Sequence, residues 1–494
     1  MILFGFVILP LIYILISFLP ISLWVKKGLS TLFALMNLVL SVFLLAQVQE
    51  VGMVKLEMGS WQAPYGIVLV ADRFSAFMLA ISAVVILACV LYSHQSIDEE
   101  RKQTGYFQFL FGIVMGVNGS FIAGDLFNLY VWFEVMLMAS FILMSHGGER
   151  AQLEGSIKYL ILNLVSSFFF VAGIGLLYGK LGTLNLADIS QKITQLSDPT
   201  GSLTSPLALI LVGFAIKGAL FPFFFWLPAS YHTPPPAVSA LFAGLLTKVG
   251  IYSIIRFYTL VLYTNHEFWN MVILWLGVLS MVIGVFTATS QYDFRKILSF
   301  HIISQVGYVV IGLGFFTIDS LAGAIFFLGH NMIAKTNTFL VAGWVEKRKG
   351  TLNLKVLGDL FRENKTWSIL FFISAFALAG IPPLSGFIGK YAVIKSGIDS
   401  GHMMIALIAL FVGVFTLFSM LKIWLEVFWK PRPEETEETE VLKHGPEGLM
   451  VTGSVLLALM TVGMGLAGEP ILNYCQAAAD DLMHPLRYVE FILN

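Results

Sequence analysis

The chain has 494 residues, 57% of them hydrophobic and only 12% charged, with a net charge of -1. A soluble globular chain carries roughly 25% charged residues, so this composition excludes a water-solvated fold and makes the lipid bilayer the expected solvent. Near-neutral charge excludes a basic nucleic-acid-binding surface, and the two cysteines, Cys475 and an apolar-embedded Cys89, exclude a disulfide framework.

A spanning helix needs about 20 apolar residues. Fourteen stretches qualify: 2–24, 29–48, 74–93, 106–123, 125–145, 159–182, 206–231, 237–262, 267–288, 294–316, 319–345, 366–395, 403–427 and 448–470. The expected fold is an all-α polytopic membrane protein of about 14 transmembrane helices. The apolar N-terminus, MILFGFVILP, lacks the basic start of a cleaved signal peptide and reads as the first span. No connection exceeds about 25 residues, which leaves no room for an extramembrane catalytic domain. Counting residues at the ends of stretches with the adjoining connection, seventeen of the 29 basic residues fall with odd-numbered connections and six with even-numbered ones or the C-terminus. By the positive-inside rule the odd connections face the cytoplasm and both termini face outward.

Ionisable residues stand in the middle of several spans. Glu134 is in the fifth, Lys217 in the seventh, Lys248 in the eighth, His330 and Lys335 in the eleventh, and Lys390 in the twelfth. Each central Lys or Glu costs about 2.5–3.5 kcal/mol on insertion scales. Four of them facing lipid would cost on the order of 10 kcal/mol, comparable to the stability of a whole domain. They are therefore expected to face the bundle interior, with partners or water. One acid among several bases suggests a gate: Lys217 stays protonated beside Glu134 and releases its proton when Glu134 withdraws. The proton would pass to Lys248, and His330, which titrates near neutral pH, would link Lys248 to Lys390.

Other charges read differently. Lys422, with Glu426 four residues on, reads as a snorkelling, locally paired lysine near the cytoplasmic face. Arg256 at the outer end of the eighth span reads the same way, and His301 reads as core packing or a local hydrogen bond. The acidic strip PEETEETE at 433–440 reads as a solvated loop. GFIGKY at 386–391 lacks the spacing and the Ser or Thr of a phosphate-cradling loop, so no nucleotide site is expected.

Proline breaks two spans: Pro222 the seventh, Pro382-Pro383 the twelfth. The five-span offset is odd, so the broken helices cross in opposite directions. That is the pattern of two inverted five-helix repeats, helices 4–8 and 9–13, with an ion path at the matching breaks. The domain boundaries follow: 1–105 for the first three helices, 106–262 and 263–430 for the repeats, and 431–494 for a loop and the last helix.

DLFNLYVWFEVMLMASFILM, FPFFFWLPASYHTPPPAVSALFAGLLTKVGIYSIIRF, LSFHIISQVGYVVIGLG and ALAGIPPLSGFIGKY resemble the antiporter-like membrane subunits of respiratory complex I and of Mrp multi-subunit cation/proton antiporters. The motif SALFAGLLTKVG, the length and the absence of an aspartate between Pro228 and His232 favour the Mrp branch. The resemblance implies fourteen helices in a five-plus-five repeat, a pair between Glu134 and Lys217, a central base at Lys248 and a terminal lysine at Lys390. It also implies a histidine in a broken eleventh helix, for which His330 is the candidate and Lys335 its rival. The expected function is proton translocation within a multi-subunit sodium/proton antiporter of a bacterial cytoplasmic membrane. The chain is expected to be a transporter component rather than an enzyme, with no cofactor of its own and with obligate partner subunits. A proton-pumping arm subunit of a redox complex is the alternative, and a scaffold whose charges only hold helices together is a third reading.

Overall fold

The computed structural model describes residues 1–195, 199–432 and 447–494; the acidic strip at 433–440 lies outside them. The chain is built almost wholly of helices, and each of the fourteen apolar stretches coincides with a helix or with two half-helices. Nine of the described helices are long and apolar enough to cross a membrane by length and composition, and four more apolar helices are shorter. Several helices outrun their apolar stretches. The sixth stretch lies in Arg150–Leu181 and the eleventh in Ile318–Lys349, 32 residues each. Hydropathy marks only the lipid-facing length, whereas backbone hydrogen bonding continues into water under charged residues such as the Glu154–Lys158 pair.

Three features are additions to the expected architecture. A small hairpin pairs Val54–Glu57 with Val68–Ala71 between the second and third helices. The amide of Gly124 donates to the Val68 carbonyl, which sets the hairpin against the end of Tyr106–Ile122. The short helix Leu186–Gln195 precedes the seventh stretch. The C-terminal region holds two helices beyond the expected last one, Gly468–Met483 and Pro485–Leu493. Both are amphipathic, which a search for continuous apolar runs does not register.

The two proline breaks are closely alike. The seventh stretch is Pro199–Lys217 followed by Trp226–Ser230, and the twelfth is Lys365–Ala379 followed by Ser385–Asp399. In each, a residue with positive φ stands three positions before a proline: Ala219 before Pro222 and Gly380 before Pro383. A second correspondence frames the breaks. Asp125 and Asp293 both cap a helix start through their side chains, accepting from Asn128 and Lys296. Each pairs by backbone with an asparagine, Asn185 and Asn353, that follows a 32-residue helix ended by a left-handed glycine.

The eleventh helix is continuous from Ile318 to Lys349, which corrects the expectation of a broken one. It contains no proline, and Asn331 and Thr336 return their side chains to carbonyls four residues back without interrupting the ladder.

Candidate functional site

Opening a helix inside a bundle strands backbone groups, which must find partners. At the first break the Trp226 indole donates to the Ile216 carbonyl at 2.9 Å, and the Phe221 amide donates to Ser280 Oγ at 2.9 Å. At the second break the carbonyls at the end of Lys365–Ala379 take a cation. Lys390, on the far half-helix, turns back to donate to Leu378 O at 2.8 Å and Ala379 O at 3.2 Å. The carbonyl end of a helix is the negative pole of its dipole, so an ammonium is stabilised there. The ring of Tyr308 lies 4.9 Å from the same nitrogen and adds cation–π attraction.

The six candidate residues fall into two groups. In the first, Ser167 on Arg150–Leu181 donates its hydroxyl to Glu134 Oε1, and Lys217 Nζ lies 3.4 Å from Ser167 Oγ. Glu134 and Lys217 form no direct ion pair among the described residues; a serine hydroxyl joins them, and the Phe133 ring lies 5.3 Å from the ammonium. Sequence reasoning missed Ser167, one of two adjacent serines in an apolar run. The second group is Lys248, Lys335, Lys390 and His330. Lys335 lies within electrostatic range of both Lys248 and Lys390, and His330 within range of Lys390 and Lys335. Lys335 is thus in electrostatic range of both lysines that His330 was expected to link. Lys248 donates to Ala243 O and Lys335 to Leu298 O at 3.4 Å. Among the described residues no hydrogen bond connects Lys217 to Lys248, but their helices touch through glycines: a Cβ on Gly250 would lie 2.5 Å from the Gly218 nitrogen.

The four lysines are between 0 and 6% exposed and His330 is fully buried, so all five face protein rather than lipid. Glu134 is only half-buried. Among the described residues none of the four lysines forms an ion pair within 4 Å. Their positive charge rests on carbonyls, hydroxyls and rings. His330 Nδ1 is 2.8 Å from Ser385 Oγ, and its Nε2 is buried with no protein partner. Asn331 Oδ1, Thr247 Oγ1 and Gln305 Oε1 are also buried and unpartnered. Buried polar atoms are satisfied by ordered water when protein does not reach them, so this interior is suited to hydration.

Two peripheral readings are corrected. Lys422 does not bond Glu426, which pairs with Lys430 instead. It donates to the Gln291 and Thr289 carbonyls at 2.7 and 3.1 Å, at the end of His266–Ser290, with its nitrogen 3.7 Å from the Tyr292 ring centroid. Arg256 does not snorkel. It is buried in a bidentate pair with Asp72, at 2.6 and 2.7 Å, and also donates to Ser75 and Tyr252. A carboxylate placed to cap the third helix offered the guanidinium a planar partner inside the protein. His301 is buried; its Nε2 is hydrogen-bonded to Ser419 across helices, and its Nδ1 has no protein partner.

The chain is thus a bundle of apolar helices with two alike proline breaks and four buried lysines facing protein, and its relatives give the class it belongs to. Residues 123–416 match the sequence model of the family described as NADH:quinone oxidoreductase/Mrp antiporter, transmembrane, and the chain belongs to that family. It is 45% identical over 457 residues to the D-type Na(+)/H(+) antiporter subunit of Alkalihalophilus pseudofirmus, covering 92% of each chain. It is 39% identical over 495 residues to the D-type Na(+)/H(+) antiporter subunit of Bacillus subtilis, covering 99% of each. A chain in the Mrp complex structure from Dietzia sp. DQ12-45-1b superposes with a TM-score of 0.89 at 29% identity, covering 100% of this chain and 99% of that one. A chain of the archaeal membrane-bound sulfane sulfur reductase superposes with a TM-score of 0.88 at 23% identity, which is a likeness of fold alone.

Proposed function

We propose that the chain is the proton-translocating subunit of a multi-subunit sodium/proton antiporter, and that protons move along Glu134, Lys217, Lys248, Lys335, His330 and Lys390. In this reading all fourteen helices cross a bacterial cytoplasmic membrane with both termini outside. Residues 106–262 and 263–430 are inverted repeats, flanked by 1–105 and 431–494. The matching breaks and the matching Asp–Asn bridges support the repeat. The names of the relatives support the antiporter over the redox-arm alternative, which would use the same interior line. The neighbouring Mrp complex supports partner subunits.

One observation carries the reading. Glu134 and Lys217 are joined by a single hydroxyl, so a proton or a side-chain shift at Glu134 changes what the ammonium of Lys217 sees. A carboxylate that stays close holds the lysine charged; one that leaves exposes an unpaired buried cation, which favours release of its proton. The test is sodium-driven proton movement, followed with a ΔpH-sensitive dye in vesicles bearing the whole complex. Lys217→Ala and Glu134→Gln should each abolish exchange while the complex still assembles. Normal exchange in the Lys217→Ala complex would reduce the lysines to scaffold.

A further inference from the structure

The helices Phe294–Gly314 and Met403–Ile423 face one another through a buried polar seam that meets the lysines at Tyr308, the ring beside Lys390. On one side are His301, Gln305 and Tyr308, spaced four and three residues apart; on the other are Ser419 and Thr416. These spacings put each set on one helix face. The rungs are His301 Nε2 to Ser419 Oγ at 2.5 Å and Gln305 Nε2 to Thr416 Oγ1 at 3.4 Å. These four bonded residues are at most 1% exposed. Two atoms of the seam have no protein partner, His301 Nδ1 and Gln305 Oε1. The seam ends near the surface: Ser419 is one turn from Lys422, which is partly exposed beside Tyr292. Its inner end meets the lysines at Tyr308, whose ring lies 4.9 Å from Lys390 Nζ, and Lys335 and Lys390 both act electrostatically on His301 as well. Lys335 also reaches the Leu298 carbonyl, one turn before His301.

We infer that His301 is a proton-carrying residue, and that the His301–Ser419 seam is the branch by which the interior line exchanges protons with the cytoplasmic side. The inference rests on the proton-translocating reading above. Ser419 Oγ donates to the Phe415 carbonyl, so it accepts from His301. That places the ring proton on Nε2 and leaves the Nδ1 lone pair free as a base. For outward-to-inward passage, an N–H bond of the Lys335 ammonium breaks and, through a bridging water, an N–H bond forms at His301 Nδ1. The imidazolium then gives its Nε2 proton, by way of the Ser419 hydroxyl, to water at the Lys422 layer. One proton enters and one leaves. The lysine is left neutral to be recharged from Lys248 or Lys390, and the ring is left in its other tautomer, to be reset by a ring flip. A histidine serving only as packing would need no free Nδ1.

The experiment uses the assembled complex in everted vesicles, with assembly checked by native electrophoresis, and compares His301→Gln, His301→Asn, Ser419→Ala, Ser419→Thr and Lys217→Ala. Gln and Asn keep a hydrogen-bonding side chain but cannot carry a proton, and using both guards against one failing to assemble. In an assembled His301 variant the initial rate of sodium-driven proton movement should fall at least about tenfold, and in Ser419→Ala, which removes the relay hydroxyl, it should fall likewise, while Ser419→Thr keeps most of the rate. Rates within about twofold of the parent in the His301 variants or in Ser419→Ala would overturn the seam. If Lys217→Ala abolishes exchange while the His301 variants exchange normally, the seam alone fails; if Lys217→Ala also exchanges normally, the proton-translocating reading fails with it.

Discussion

Ser167 illustrates how much a single hydroxyl decides. A direct contact between Glu134 and Lys217 would fix the two charges as one neutral pair. The inserted serine keeps them coupled yet separable, with the Glu134 carboxylate accepting from Ser167 and the Lys217 ammonium 3.4 Å away. Hydrogen bonds to charged groups are worth about 1.5–3 kcal/mol. Ser167→Ala should therefore lower sodium-driven proton movement by about tenfold or more, while Ser167→Thr, which retains the hydroxyl, should keep most of it; vesicle ΔpH assays measure both. Lys390 makes the same point with different chemistry. Its position beyond Pro383 was legible in the sequence, but its use of the Leu378 and Ala379 carbonyls was not. Those acceptors become available only because the helix ends at Gly380 and the far half-helix folds back toward that end.

At the scale of elements, the broken helices depend on neighbours for backbone satisfaction and on small residues for close approach. The helix Pro236–Leu260, which carries Lys248, meets the Lys217 helix through Gly250, where an added Cβ would fall 2.5 Å from the Gly218 nitrogen and 2.8 Å from the Lys217 carbonyl carbon. These neighbours are backbone and cannot swing aside. Gly250→Val should push the two helices apart and destabilise the protein by about 1–3 kcal/mol, seen as a lower midpoint in a thermal scan of the detergent-solubilised complex. It should also slow proton movement, because the displaced helices carry Lys217 and Lys248. The same element scale explains what hydropathy missed. The hairpin strands are four residues each, and the C-terminal helices carry an apolar stripe rather than an apolar run.

Across the whole molecule, one ion-pair cluster ties together segments far apart in sequence. Asp72 caps the third helix, Arg256 comes from the eighth, the Tyr488 ring lies 5.6 Å from the Arg256 guanidinium carbon, and Arg73 binds Asp481 at 2.5 Å. Removing one partner of a buried pair costs about 3–5 kcal/mol, because the other charge is left unpaired. Arg256→Ala should show that loss in thermal unfolding, and the double variant Asp72→Ala with Arg256→Ala should recover part of it. Burial raises the Asp72 carboxyl, but the Arg256 guanidinium and hydrogen bonds from Arg256 and Ser75 outweigh it and hold the group below the usual carboxylate range. A depressed folded-state pKa contributes stability above the unfolded value, about 3.9, and that contribution is lost as pH falls through the folded value. The parent should thus keep this contribution at about pH 5 and lose it progressively below about pH 4. Arg256→Ala should lack that acid-dependent component, which thermal midpoints between about pH 3 and pH 7 would resolve.

The sequence by itself determined the solvent, the helical class, the two breaks and the burial of Lys217, Lys248, His330, Lys335 and Lys390, though not that of Arg256. Each of these follows from local chemistry: apolar length, proline's missing amide, and the cost of a charge in hydrocarbon. Only the tertiary structure decided which groups meet. It placed Ser167 between Glu134 and Lys217, set Lys335 in electrostatic range of Lys248 and Lys390, kept the eleventh helix whole, and gave Arg256 to Asp72 and Lys422 to carbonyls. The reason is that a midplane charge must find a partner somewhere, but its choice among carboxylate, hydroxyl, carbonyl and ring depends on which helix faces it, and composition along one helix does not carry that information.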